Sequence, residues 1–397
     1  MLRYRDTVPE NGQLVRRQMA RQIEPVKPEH MRLKRPPPEI EDKARTMLQP
    51  LNNHTYTPEA MQTVEQFVEN VYFPNVETQK RASTVRGYKT CWNSQLKPYC
   101  GSFRLREFRP SDAQRALSEI ARQSPSLCRN TLHHLRSLLS AIFRHAIQQG
   151  YLNGHNPIRD VGVPTAPEGD ETYAYSLEEV TRMLTYLPQP AYTIAAIAAF
   201  TGLRRAELTG LLWENYDGNE LQVIRSVWEG HINEPKTRRS KAPVPVIPAL
   251  ARILDAYRAQ QGNPKSGPMF VSEAKTPLHL NNVLNRIILP ALNRCEVCRK
   301  ERSERVHADH EFKRDALRPE WHGWHAFRRG LATNLHRLGV NDKAIQAILR
   351  HSNVSTTMNI YVKTVSEDST AAMKLLETAL CANCAPLAIP GNPNVVN

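Results

Sequence analysis

The chain has 397 residues, longer than one ordinary compact domain, so two or three domains are expected. Hydrophobic residues make up 40% and aromatic residues 7%, enough to build cores. The 53 Lys and Arg exceed the 39 Asp and Glu by a formal charge of +14, which favours a polyanionic partner, because each cation placed on a phosphate releases condensed counterions. The charged start, MLRYRDTVPE, argues against a signal peptide. The most apolar run, Ile194 to Phe200, is too short to cross ~30 Å of bilayer. An intracellular, cytoplasmic protein with no membrane association is expected. Among the 7 cysteines, two pairs show C-x-x-C spacing, which in a reducing compartment suggests thiols or metal ligands rather than disulfides.

Residues 1–55 are basic. An Asn11-Gly12 turn separates Leu2–Thr7 from Gln13–Gln18, which can pair as a hairpin. Prolines at 25, 28 and 36–38 argue for an extended linker, and a disordered basic tail fits the region as well as a small β module does. Residues 56–163 turn helical: Met61, Val64, Phe67, Val68 and Val71 recur at helical spacing, as do Leu132, Leu135, Leu138, Leu139, Ile142 and Phe143. These stripes are core. Thr84, Arg86 and Lys89 lie near a helix start and can meet a backbone phosphate, with a solvated basic face as the competing reading. The segment 164–173 continues a stretch of Pro and Gly without apolar periodicity and serves as a linker.

A second domain is expected over 174–365. Ser176 followed by Glu178 and Glu179 has the form of a capped helix start. Ala195–Phe200 form a buried helical run, and Leu221–Trp228 and Pro243–Ile247 form strands flanking a basic turn; the remainder is helical. Residues 366–397 open with Ser366-Glu367-Asp368, and Ala372, Met373, Leu376, Ala379 and Leu380 then make an apolar stripe. That helix packs either on its own domain or on a neighbouring subunit.

Four stretches of the second domain carry chemistry. In Thr201-Gly202-Leu203-Arg204-Arg205-Ala206-Glu207, the glycine breaks the helix and Glu207 can hold Arg204 in one pose across i,i+3. A fixed guanidinium donates two parallel hydrogen bonds to a phosphate. Lys236, in Pro235-Lys236-Thr237-Arg238-Arg239, can protonate a leaving oxygen if neighbouring cations lower its pKa. His325 and Arg328 start another helix three residues apart and can face one target. His351 follows a helix whose buried face is Ile345, Ile348 and Leu349, and Tyr361 comes ten residues later. Each signal alone has a plainer explanation: an ion pair, a basic turn, a helix cap, a packed tyrosine.

In order and spacing, Arg204 with Glu207, Lys236, His325 with Arg328, His351 and Tyr361 resemble the T-G-x-R-x-x-E, P-K-T, H-x-x-R, L-G-H and Tyr elements of the tyrosine recombinase, or phage integrase, family. The resemblance covers the second domain and extends loosely over 56–163. It implies a fold that is mainly α with a small antiparallel β-sheet: a helical core-DNA-binding domain plus an α+β catalytic domain. It also implies an arm-type DNA-binding role for 1–55, and exchange of 366–397 between protomers. The implied activity is site-specific cleavage and rejoining of double-stranded DNA through a 3′-phosphotyrosyl bond at Tyr361. Arg204 and Arg328 stabilise the phosphate, Lys236 protonates the 5′-oxygen, His325 acts as acid or base, His351 bonds the phosphate and Glu207 orients Arg204. Arg238 and Arg239 are further DNA contacts. The partners are DNA and a homotetramer on two DNA sites, and no cofactor is needed for catalysis. Two departures stand out: Arg350 replaces the family's usual glycine, and Arg329-Gly330 replaces a common His-Thr or His-Ser. A type IB topoisomerase-like enzyme, a non-catalytic DNA-binding regulator on the same fold, and a metal-dependent transposase are the alternatives.

An insertion near 295–312 carries Cys295, Cys298, His307 and His310 in C-x2-C-x8-H-x2-H spacing, suited to a tetrahedral structural zinc. A charged loop with incidental cysteines fits as well. Cys381 and Cys384 have no histidine nearby and are ordinary thiols.

Overall fold

The computed structural model describes residues 1–10, 13–25, 36–52, 58–169, 172–234, 242–272, 276–301, 304 and 309–350. The chain divides into two compact units, Met1–Glu171 and Thr172–Asn397.

The first unit opens on a hairpin. Strands β1 (Leu2–Glu10) and β2 (Gln13–Arg21) pair antiparallel, with Leu2 opposite Arg21 and Glu10 opposite Gln13. The hairpin is anchored by Arg106, whose guanidinium lies 2.5 Å from Asp6 with both side chains nearly buried. Of the two sequence readings of this region, the β module is the one adopted. The expected linker is interrupted by helix α1 (Pro38–Asn52). Proline at the first helical turn lacks only a donor that would be unused there, and Glu39 and Glu41 complement the helix dipole.

Helices α2 (Val64–Phe67) and α3 (Phe73–Gln79) are joined through a π-turn at Val68–Tyr72, and α4 (Ala82–Cys91) and α5 (Lys97–Cys100) through another at Trp92–Leu96. They pack with α6 (Pro110–Gln123) and α7 (Arg129–Gln148). Thr63 caps α2 with a reciprocal bond to Gln66. The core contains Phe67, Trp92, Leu96, Leu117 and the predicted α7 stripe from Leu132 to Phe143. Each such side chain contributes roughly 1.5–3 kcal/mol by leaving water.

The second unit starts with α8 (Leu177–Tyr186), capped as expected: the Ser176 hydroxyl accepts from the Glu179 amide and the Glu179 carboxylate from the Ser176 amide. Helix α9 (Ala191–Thr201) is the buried apolar run and α10 (Arg205–Thr209) follows at once. The strands differ from expectation. Leu221–Trp228 is not one strand: β3 (Glu220–Leu221) pairs with β6 (Val244–Pro245), whereas β4 (Ser226–Trp228) turns back on β5 (His231–Asn233). The turn holding Glu229 and Gly230, both at positive φ, makes that second hairpin. The basic stretch holding Lys236 therefore follows β5 instead of joining the two predicted strands directly. Helix α11 (Pro248–Gln260) comes next. Helices α12 (Leu280–Val283) and α13 (Leu289–Leu292) are linked by a π-turn at Leu284–Ile288. The last described helices are α14 (Trp324–Arg337) and α15 (Asp342–Leu349), the latter capped by Asn341. Ile194, Ile197, Leu208, Trp213, Leu254 and Phe327 lie in the main core of this unit.

Among the described residues no helix is long and apolar enough to cross a membrane.

Candidate active site

Four elements meet around one carboxylate. At the end of α9, Gly202 takes the left-handed conformation (φ +62°) and turns the chain. A Cβ here would stand 2.7 Å from Leu349 Cδ2, so both the backbone angle and the space call for glycine. Arg204 caps α10. The Glu207 carboxylate accepts from the Arg204 amide at 2.9 Å and from its guanidinium at 3.0 Å. The predicted Arg–Glu pairing is therefore present, strengthened by a backbone bond. The Arg204 side chain remains 37% exposed while that of Glu207 is 7% exposed.

Arg328 lies one turn into α14 and is buried. It donates one hydrogen bond to the Gly202 carbonyl at 2.6 Å and another to the Leu349 carbonyl. One guanidinium thus ties the α9–α10 turn to the end of α15. Arg350 closes α15 in the left-handed region (φ +55°), where glycine is the favoured residue. Its guanidinium is 2% exposed and donates to the second oxygen of Glu207 at 2.8 Å. Glu207 therefore balances two arginines, with Arg328 close enough to feel all three charges.

The electrostatics follow from that crowding. Burial works most strongly against the charge on Arg328, then the like charge of Arg204, with Glu207 opposing both. A guanidinium still keeps its proton at neutral pH. The His325 ring opens to solvent above a packed floor. Partial desolvation, then Arg329, Arg328 and Arg204, hold its pKa below the ordinary 6.5, against a smaller pull from Glu207. His325 is thus neutral at pH 7 and can accept or relay a proton. A cleft of about 540 Å³ opens beside it, lined among others by Arg204, Arg205, Trp228, His279 and His325.

Clustered cations backed by a buried carboxylate, beside a neutral histidine, suit a tetrahedral or pentacoordinate phosphate. Residues 175–367 match the model of the phage integrase family. That stretch is a domain of the family, the tyrosine recombinases. It is 27% identical over 296 residues to a tyrosine recombinase XerC-like protein of Caldanaerobacter subterraneus subsp. tengcongensis, covering 66% of this chain and 69% of that protein. The Tn1549 transposon integrase in complex with transposon right end DNA superposes with a TM-score of 0.59 at 20% identity, over 80% of this chain and 100% of that one. A lambda integrase tetramer bound to a Holliday junction gives a TM-score of 0.53 at 15% identity, over 90% and 91% of the two chains.

In this tyrosine recombinase domain the sequence-predicted Arg204, Glu207, His325 and Arg328 come together. Lys236, Arg238, Arg239, His307, His351 and Tyr361 lie outside the described residues. Thr84, Arg86 and Lys89 sit on α4 in the first unit; Arg86 is exposed, Thr84 half-buried, and the Lys89 ammonium is 2.5 Å from Glu77. Cys295, Cys298 and His310 group on the loop between α13 and α14. Two residues of the recombinase's site had no role in the sequence reading. Arg350 was visible only as a departure from glycine, and His279 stands in the cleft wall as the cap of α12. Nothing in local spacing connects either to Arg204.

Proposed function

We propose that the chain cuts and rejoins double-stranded DNA at specific sites through a covalent bond between Tyr361 and a 3′-phosphate. The carrying observation is the Glu207-centred arginine cluster beside neutral His325. The Tyr361 oxygen attacks phosphorus, its proton passing towards His325, and the bond from phosphorus to the 5′-oxygen breaks. Lys236 supplies the proton that oxygen needs. The phosphodiester energy is kept in the phosphotyrosyl bond, and a 5′-hydroxyl from a partner strand reverses the step to exchange strands. Arg204, partly exposed, meets the phosphate from the cleft side and Arg328 supports it from beneath. Each donor of this type is worth on the order of 3 kcal/mol in the transition state. His351 adds a hydrogen bond to the phosphate.

The +14 charge supports a DNA partner. We read residues 56–163 as the core-DNA-binding domain, with Thr84, Arg86 and Lys89 on its DNA face, and Arg238 and Arg239 as contacts of the catalytic domain. Lys89 must then exchange Glu77 for a phosphate. The N-terminal hairpin suits an arm-type contact. Residues 366–397 pass to a neighbouring protomer in a homotetramer on two sites, by analogy with the lambda integrase tetramer bound to a Holliday junction. No cofactor enters the reaction; the zinc suggested by Cys295, Cys298 and His310 is structural and is taken up below.

The test is a nicked duplex carrying the recognition site, incubated in EDTA and resolved under denaturing conditions. A covalent protein–DNA adduct is expected from the native chain and none from Tyr361→Phe. An adduct that persists in that variant refutes the assignment of the nucleophile.

A further inference from the structure

Among the described residues of the loop between α13 and α14, Val297 and Leu317 are exposed and add nothing to a core. Polar ties hold its base: Asp315 is buried and pairs with Arg299 and Arg318, and Arg318 also donates to the Ala291 carbonyl at 2.6 Å. Two short bridges, Arg294 with Glu301 and Cys295 with Arg314, fold the loop back on itself. At their centre is a group that these ties do not explain.

Cys295 is fully buried, and its sulfur lies 3.3 Å from Nε2 of His310. The ligand atoms of Cys295, Cys298 and His310 all lie within 4.8 Å of one another. Two features of the surroundings suit a metal. The Arg299 amide bonds back to the Cys295 carbonyl at 3.0 Å, and Arg299 takes positive φ, so the C-x-x-C turn curls both sulfurs to one side. Nδ1 of His310 meets the Asp309 carboxylate at 2.8 Å, which orients the ring with Nε2 towards the sulfurs.

We propose that Cys295, Cys298 and His310 bind a zinc ion that staples this loop. Two thiolates and one imidazole are a soft, borderline donor set that favours Zn²⁺ over Mg²⁺ or Ca²⁺. Two thiolates offset the ion's charge, so the metal is held at no net electrostatic cost to a protein that is already strongly basic. Its role is structural. The loop's exit leads to Glu320 and His322, which clasp the Tyr175 hydroxyl just ahead of α14, the helix that carries His325 and Arg328. The proposal does not depend on His307 as a fourth ligand, nor on the recombinase chemistry proposed above.

The experiment measures metal in the full chain, expressed with added zinc and purified without chelator. About one equivalent of zinc per chain is expected, and replacement by Co²⁺ should give thiolate charge-transfer absorption. Cys295→Ser and His310→Ala should each lower zinc affinity at least about tenfold, while Cys128→Ser leaves it unchanged. The native-chain measurements stand even if a variant fails to fold. Zinc below about a tenth of an equivalent with no Co²⁺ spectrum overturns the site, as does a Cys295–Cys298 disulfide in its place. Zinc retained in both ligand variants overturns the assignment of residues. Adduct formation on nicked DNA is scored separately, so loss of one result does not decide the other.

Discussion

Replacing Arg350 by glycine sets two effects against each other. Glycine relieves the left-handed backbone at φ +55°, worth about 1 kcal/mol to a residue with a Cβ. It also removes a charge-assisted hydrogen bond to Glu207, about 1.5–3 kcal/mol. Glu207 keeps both bonds from Arg204, so the larger penalty of a buried charge left bare does not apply. The net expectation for Arg350→Gly is a loss of about 0.5–2 kcal/mol, and Arg350→Ala should be worse by about 1 because it keeps the backbone strain. Urea unfolding followed by tryptophan fluorescence suits the measurement, since Trp213, Trp228, Trp321 and Trp324 all belong to the second unit. Single-turnover DNA cleavage should fall about tenfold as Glu207, the carboxylate that holds Arg204, loses one of its own anchors. If Arg350→Gly is as stable as the native chain or more so, the arginine is tolerated in that position rather than used there. If the glycine and alanine variants unfold alike, the backbone argument fails.

Other consequences follow from the same geometry. The pKa of His325 is depressed in the folded chain, so between that value and 6.5 the unfolded chain binds more protons and stability falls as pH drops through the window. The acid limb of the cleavage rate should accordingly lie below pH 6.5, and Arg329→Gln, by removing a like charge, should move it upward; a limb that stays put in that variant removes the electrostatic explanation. Gly330 lies against the backbone of Tyr175, where a Cβ would come within 2.3 Å of the carbonyl oxygen. Gly330→Ala should cost at least about 2 kcal/mol in thermal unfolding, and a neutral result means α14 can shift away at no cost.

Much of this site could be read from local sequence because its parts are helix ends. Gly202 as a stop, Ser176 and Asn341 as caps, and the i,i+3 pairs Arg204–Glu207 and His325–Arg328 all follow from rules spanning one turn. Where the reading went astray, a turn signal was passed over. Glu229-Gly230 turns Ser226–Trp228 back on His231–Asn233 instead of letting it run on from Leu221, and Pro38 with Glu39 and Glu41 starts a helix inside the supposed linker. Arg350 shows the deeper limit. Its residue type stood out, but its partner Glu207 lies 143 positions upstream, and only the packing of α14 between α9 and α15 brings the two together. The departure from the family's glycine is itself bonded to the carboxylate that holds Arg204.

The central claim is that these arginines act on the negative charge of one phosphate. It is tested most directly by cleavage of a site whose scissile phosphate is replaced by an uncharged methylphosphonate. With ordinary DNA, Arg204→Ala should slow cleavage by about 100- to 1,000-fold relative to the native chain. With the methylphosphonate the difference should shrink to less than about tenfold, because there is no longer a charge for the guanidinium to offset. An equal deficit on both substrates would contradict the account and leave Arg204 a structural role only.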